Sequence, residues 1–201
     1  MDTGRREALL RAMLDELVAK GYRGLSVEAA IRAARVSLAE FEADFGSKDE
    51  CLYAAYQSLA DRFVARASAR CDAAEPWPER VRTGLSALLE ELAGEPRLAL
   101  ALTRAFPGIG PATYERYVDL LERFVPLMEE GRAYSEVEEE LPGEVELLAV
   151  GAAEAIIFSE VDAGRAGRLP TMLPEILFSV LVPFMGPERA ADEMRSAAAA
   201  T

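Results

Sequence analysis

The 201-residue chain contains no histidine, so carboxylates, two thiols and hydroxyls are the groups left for chemistry. Losing imidazole removes the usual general base, the Ser–His and Cys–His nucleophile pairs, and imidazole-ligated zinc. The densest carboxylate run, EVEEE at 136–140, sits between a helix end and Pro142-Gly143. A solvated loop is expected there rather than a catalytic or metal site. GIGPAT at 108–113 lacks both the preceding strand and the third glycine of a dinucleotide loop, and is expected to connect helices. Cys51 and Cys71 fall on one long expected helix, which holds them roughly 30 Å apart at ~1.5 Å per residue. They cannot bridge each other, and free thiols suit a reducing compartment. No enzyme activity, cofactor or metal site follows from these residue types.

The segment AARVSLAEFEADFGSK, residues 33–48, has a different kind of organisation. A small-residue helix end, a tight turn, a short helix and an aromatic stop are the parts of a helix-turn-helix. Ser26 is expected to cap the first of its helices, with Ala30, Ile31 and Ala34 facing inward. Ser37 caps the second, Glu40 completes a capping box three residues later, and Phe41 and Phe45 are its apolar anchors. In front of them Leu9, Leu10, Met13, Leu14, Leu17 and Val18 form one helical stripe that ends at Gly21. A long helix follows from near Lys48 to about Ala74, with Leu52, Ala55, Tyr56, Leu59 and Phe63 inward.

The helical period continues to the C-terminus. Helices are expected after Pro78, Pro96 and Pro111, the last kinked where Pro126 removes the hydrogen bond to the Glu122 carbonyl. With a weak alanine-rich helix at the end, the expected total is ten and the class is all-α. Residues 145–161 and 172–185 are apolar nearly all round, so each must be covered nearly all round. A chain of this size has little left for that, so a self-complementary four-helix dimer interface is expected. Its residues would include Leu148, Ala152, Ile156, Ile176, Leu177, Val180 and Phe184. A start of alternating charged and apolar residues is not a signal peptide, and no apolar stretch reaches the ~20 residues of a membrane span. A cytoplasmic protein with no membrane partner is expected, with 51% hydrophobic and 28% charged residues fitting a globular chain.

From Arg5 to Tyr56 the sequence resembles the N-terminal region of TetR-family transcriptional regulators. The residues that carry the resemblance are KGYRGLSVEAAIRAARVS and FGSKDECLYAAY. It implies a three-helix helix-turn-helix DNA-binding domain over 1–47, and a larger helical domain over 48–201 that binds a small effector and dimerises. By position, Ser26 and Lys48 would hold phosphates, while Arg35, Ser37, Leu38, Ala39, Glu40, Glu42 and Ala43 would face DNA. The family's cavity region would bring together Phe106, Tyr114, Tyr117, Phe124, Met128 and Phe158 around a hydrophobic or amphipathic effector. The function implied is a ligand-responsive homodimeric repressor on a double-stranded operator.

Two positions depart from the family pattern. Arg35 stands where glycine is usual, at a turn that calls for a left-handed backbone costing ~1 kcal/mol over glycine. Glu42 stands where a tyrosine usually donates to the DNA backbone, and a carboxylate there must avoid phosphate or accept from a cytosine N4 amine. Between Ser26 and Lys48, Arg32, Arg35 and Lys48 face Glu28, Glu40, Glu42 and Asp44, a weak electrostatic start for DNA. The chain's net charge of −13 lies mostly beyond residue 50. An alternative therefore stands beside the regulator: a dimeric ligand-binding or protein-interaction module whose acidic head no longer reads DNA.

Overall fold

The computed structural model describes residues 1–69, 75–136 and 141–200, and among them every regular element is helical. Cys71, the far end of the long helix expected to reach Ala74, and Glu138–Glu140 of the acidic run lie outside the described residues.

The first compact unit is built from Met1–Arg62 and Arg97–Tyr117. Helix α1 (Thr3–Gly24) starts under Asp2, whose carboxylate accepts from the Arg5 amide, and buries Leu9, Leu10, Met13, Leu14 and Leu17. Its regular turns are interrupted at Gly21, where φ of 69° is open to glycine at little cost. Helices α2 (Val27–Ala34) and α3 (Leu38–Asp44) follow under Ser26 and Ser37. Helix α4 (Lys48–Ser68) begins with the Ser47 hydroxyl accepting from the Glu50 amide at 3.1 Å. Helix α6 (Pro96–Leu100) runs into one wide π-helical turn, Ala101–Ala105, which packs against α1. Phe106 is then stacked on Tyr56 of α4 at 3.9 Å and edge-on to Tyr53 at 5.7 Å.

The second unit comprises Phe63–Pro96 and Val118–Thr201. Helices α5 (Trp77–Gly94), α8 (Val145–Asp162) and α9 (Leu173–Ala200) are its frame, with α9 packed against both others. Trp77 is almost fully buried in this unit. Its indole donates to the Leu127 carbonyl at 3.0 Å, and its ring meets Phe184 edge-on at 5.1 Å. Gly131 lies so close that a Cβ there would stand 2.6 Å from the indole and 2.8 Å from Phe184. Arg132 donates twice to the buried Glu146, at 2.5 and 2.9 Å, and to the carbonyls of Pro142 and Gly143.

One expectation about helix course needs revision. Pro126 does not kink a helix running to residue 133: helix α7 (Pro111–Glu122) stops before it, and 3-10 turns at Val125–Leu127 and Glu129–Tyr134 replace the rest. The proline supplies no amide for the Glu122 carbonyl, and the backbone tightens to three-residue bonding, with Phe124 donating to Leu121 and Leu127 to Phe124. The expected C-terminal helix is set off from its predecessor at Gly186, where φ is 76° between Pro183 and Pro187, so α9 is two helical stretches meeting at a kink. By length and composition the stretch Ala166–Ala199 could cross a membrane. The break and the burial of Ile176, Leu177, Leu181 and Phe184 within unit 2 are those of a core helix.

Candidate nucleic-acid interface

The turn between α2 and α3 is set by Arg35, whose φ of 55° and ψ of 41° put it in the left-handed region. Its amide donates to the Arg32 carbonyl, and Val36 closes the turn on Ile31 at 2.9 Å. The strain expected from replacing glycine is therefore present, and in return the Arg35 guanidinium stands exposed beside α3. Helix α3 is fixed from below by Phe41, whose ring lies 5.8 Å from that of Phe45, both buried. Leu38, Ala39, Glu42 and Ala43 are left on the surface, and Leu38 is 53% exposed.

The three carboxylates of α3 differ in their surroundings. Glu40 is part of the capping box: its Oε2 accepts from the Ser37 amide at 2.9 Å and hydroxyl at 2.8 Å, while Ser37 Oγ accepts from the Glu40 amide. Its other oxygen pairs with Arg5 of α1 at 2.8 Å. Bonds from the Ser37 amide and hydroxyl, with Arg5 adding attraction, hold the Glu40 carboxyl below the usual glutamate range. Asp44 lies one turn on, along the same edge of α3. Glu42 is on the opposite edge, exposed, and forms no ion pair among the described residues.

Ser26 and Lys48 are both engaged by the protein itself. The Ser26 hydroxyl accepts from the Ala29 amide at 3.1 Å and donates to Glu28 at 2.9 Å. Lys48 Nζ lies 4.0 Å over the Tyr22 ring and donates to the Tyr22 carbonyl at 3.2 Å. Tyr22 in turn donates its hydroxyl to Asp49 at 2.8 Å, and that carboxylate keeps the phenol above its ordinary range. Sequence reasoning missed both Tyr22 and the Arg5–Glu40 pair. The KGYRG stretch was a signal for the first; nothing local announced the second, because Arg5 lies a whole helix before its partner.

The six residues expected around an effector have unlike surroundings. Phe106 and Tyr117 are buried in unit 1, and Met128 is buried and Phe124 half-buried in unit 2. Tyr114 and Phe158 are exposed, at 57% and 37%, so neither stands as the wall of an enclosed cavity within the chain. Around Pro126, unit 2 has an open cleft of about 630 Å³ whose lining includes Val125, Leu147, Arg132 and Glu122, Glu129, Glu144 and Glu146. Its walls are acidic, not aromatic.

The expected dimer residues separate in the same way. Leu148 is 60% exposed on α8, with Ala152 and Ile156 half-buried along the same helix. On α9, Ile176, Leu177, Val180 and Phe184 are wholly inside unit 2, so they are core and not free surface. Uniform apolarity hid which side of α9 faces its own chain. The half-buried residues Pro174, Phe178 and Val182 lie on its other side.

Compared with solved structures, this fold is similar to that of the fatty acid degradation regulator FadR from Bacillus halodurans, with a TM-score of 0.76 and 17% identity, covering 87% of this chain and 96% of that one. A TetR-like transcriptional regulator from Rhodococcus sp. RHA1 matches with a TM-score of 0.65 and 22% identity, covering 90% and 98% of the two chains. A TetR-family transcriptional regulator from Streptomyces coelicolor matches with a TM-score of 0.63 and 19% identity, over 99% and 90%. No family model and no curated protein matches the sequence.

Proposed function

We propose, from the fold this chain has in common with TetR-like transcriptional regulators, that it is a ligand-responsive DNA-binding regulator acting as a homodimer in the cytoplasm. One observation carries the reading: α3 is a short helix anchored by buried Phe41, set beyond a left-handed turn, with Leu38, Ala39, Glu42 and Ala43 turned outward and unspent on packing. A helix presented in this manner enters a major groove, and two copies would read half-sites about one duplex turn apart. Residues 1–47 form the head in this proposal. Pairing would use the outer surface of α8, at Leu148, Ala152, Ile156 and the exposed Phe158, with Phe178 and Val182 of α9. An apolar or amphipathic effector held by the 48–201 region would shift the population between head spacings that fit an operator and those that do not. Repression is the simplest outcome of such a shift.

The acidic charge balance of the head favours a second reading, a dimeric module that has lost DNA recognition. Titration of the full chain against the DNA flanking its own coding region, at several salt concentrations, separates the two. A steep fall of log affinity with log salt, together with sequence preference, is expected of the regulator. Absence of binding at low salt would leave the module.

A further inference from the structure

We propose that α3 selects a cytosine through Glu42 and an adjacent thymine through Leu38, so that the head reads its site with a carboxylate and apolar contacts where cations are usual. The inference rests on the DNA-binding reading above. Its basis is the unequal state of the two edges of α3. On one edge the Glu40 carboxylate is consumed by the Ser37 amide, the Ser37 hydroxyl and Arg5. On the other, Leu38 and Glu42 are one helical turn apart, both exposed, and Glu42 has no ion pair among the described residues. Between the edges stand only Ala39 and Ala43, small enough to let the helix backbone come close to base edges.

A bare carboxylate in the major groove can only accept hydrogen bonds. Guanine offers acceptors at N7 and O6, and thymine an acceptor at O4, so both are rejected. Adenine offers the N6 donor beside the N7 acceptor, which opposes a charge held close. Cytosine offers N4 as a donor, and is the base a carboxylate accommodates. The exposed Leu38 side chain, one turn away, is matched by the C5 methyl of thymine and has no hydrogen-bonding group for any other base. Arg23, Arg32 and Arg35, all exposed, are available to the phosphates on either side.

The test is selection of duplexes from a random library by the full chain, by Glu42→Gln and by Leu38→Ala, followed by affinity measurements on the selected site. Both positions are exposed, so unchanged melting temperatures are expected. The natural protein should enrich a cytosine with a neighbouring thymine in each half-site, and exchanging that cytosine for thymine should weaken it by roughly ten-fold. Glu42→Gln should lose that discrimination and move toward adenine, with its salt dependence no less steep. Replacing the thymine by uracil, which removes only the methyl group, should weaken the natural protein and leave Leu38→Ala unaffected. Unchanged sequence preference in Glu42→Gln, or selected sites without the cytosine, would overturn this inference while leaving a DNA-binding regulator intact. Failure of all three proteins to retain any duplex at low salt would overturn both.

Discussion

At the scale of single residues, the head owes its geometry to a few polar groups whose loss has distinct signatures. Ser37→Ala removes one half of the capping box and should cost about 1 kcal/mol in chemical denaturation. Arg35→Gly should relieve left-handed strain, raising stability by up to ~1 kcal/mol, while lowering the salt slope of DNA binding by about one phosphate contact. The gain in folding and the loss in binding would thus come from one substitution. The Glu40 carboxyl, held low chiefly by the Ser37 amide, stabilises the folded head above the ordinary glutamate value of 4.5 and ceases to do so as pH falls through its lower folded value. Glu40→Gln should therefore flatten the acid limb of stability in the window between 4.5 and that lower value. Burial pushes the Cys51 thiol up to about 12, so it should resist alkylation at neutral pH until the protein unfolds, as followed by mass spectrometry of the modified chain.

At the scale of elements, what was legible in the sequence was what local chemistry dictates. Ser26, Ser37 with Glu40, Gly21 and the exposed face of α3 were all readable because cap and helix are neighbours in the chain. Trp77 and Arg132 were not. The indole finds the Leu127 carbonyl 50 positions away, and Arg132 finds Glu146 across a loop, so no periodicity marks either. The Gly131 contact is a tertiary one of the same kind: Gly131→Ala should force a shift of Trp77 or Phe184 and cost about 1–3 kcal/mol. Arg132→Ala leaves Glu146 of α8 buried without its main partner, and a loss of about 3 kcal/mol is expected. Glu146 is held below the usual glutamate range mainly by the Arg132 hydrogen bond, so this contribution too is present above 4.5 and fades as pH falls through its depressed value. The stability gap between the natural chain and the variant should therefore narrow as pH falls from 4.5 through that value.

At the scale of the whole molecule, the all-helical class and the presence of a helix-turn-helix were visible from period and caps, whereas the working faces of the last two helices were not. A helix apolar on every side gives no sign of which side its own chain covers, and four of the seven residues expected at a dimer interface are core. The substitutions that separate assembly from folding follow: Leu148→Glu or Ile156→Glu should yield a folded chain that sediments as a single copy. Phe184→Ala, inside unit 2, should instead lower the melting temperature, by an amount equivalent to about 3–5 kcal/mol. The whole account depends on two chains presenting two heads to one duplex. Sedimentation of the full chain with a duplex carrying its selected site measures this most directly. A complex of two chains per duplex, lost on exchanging the site's bases and on Leu148→Glu, is the predicted result; a single bound chain, or no complex at low salt, would contradict it.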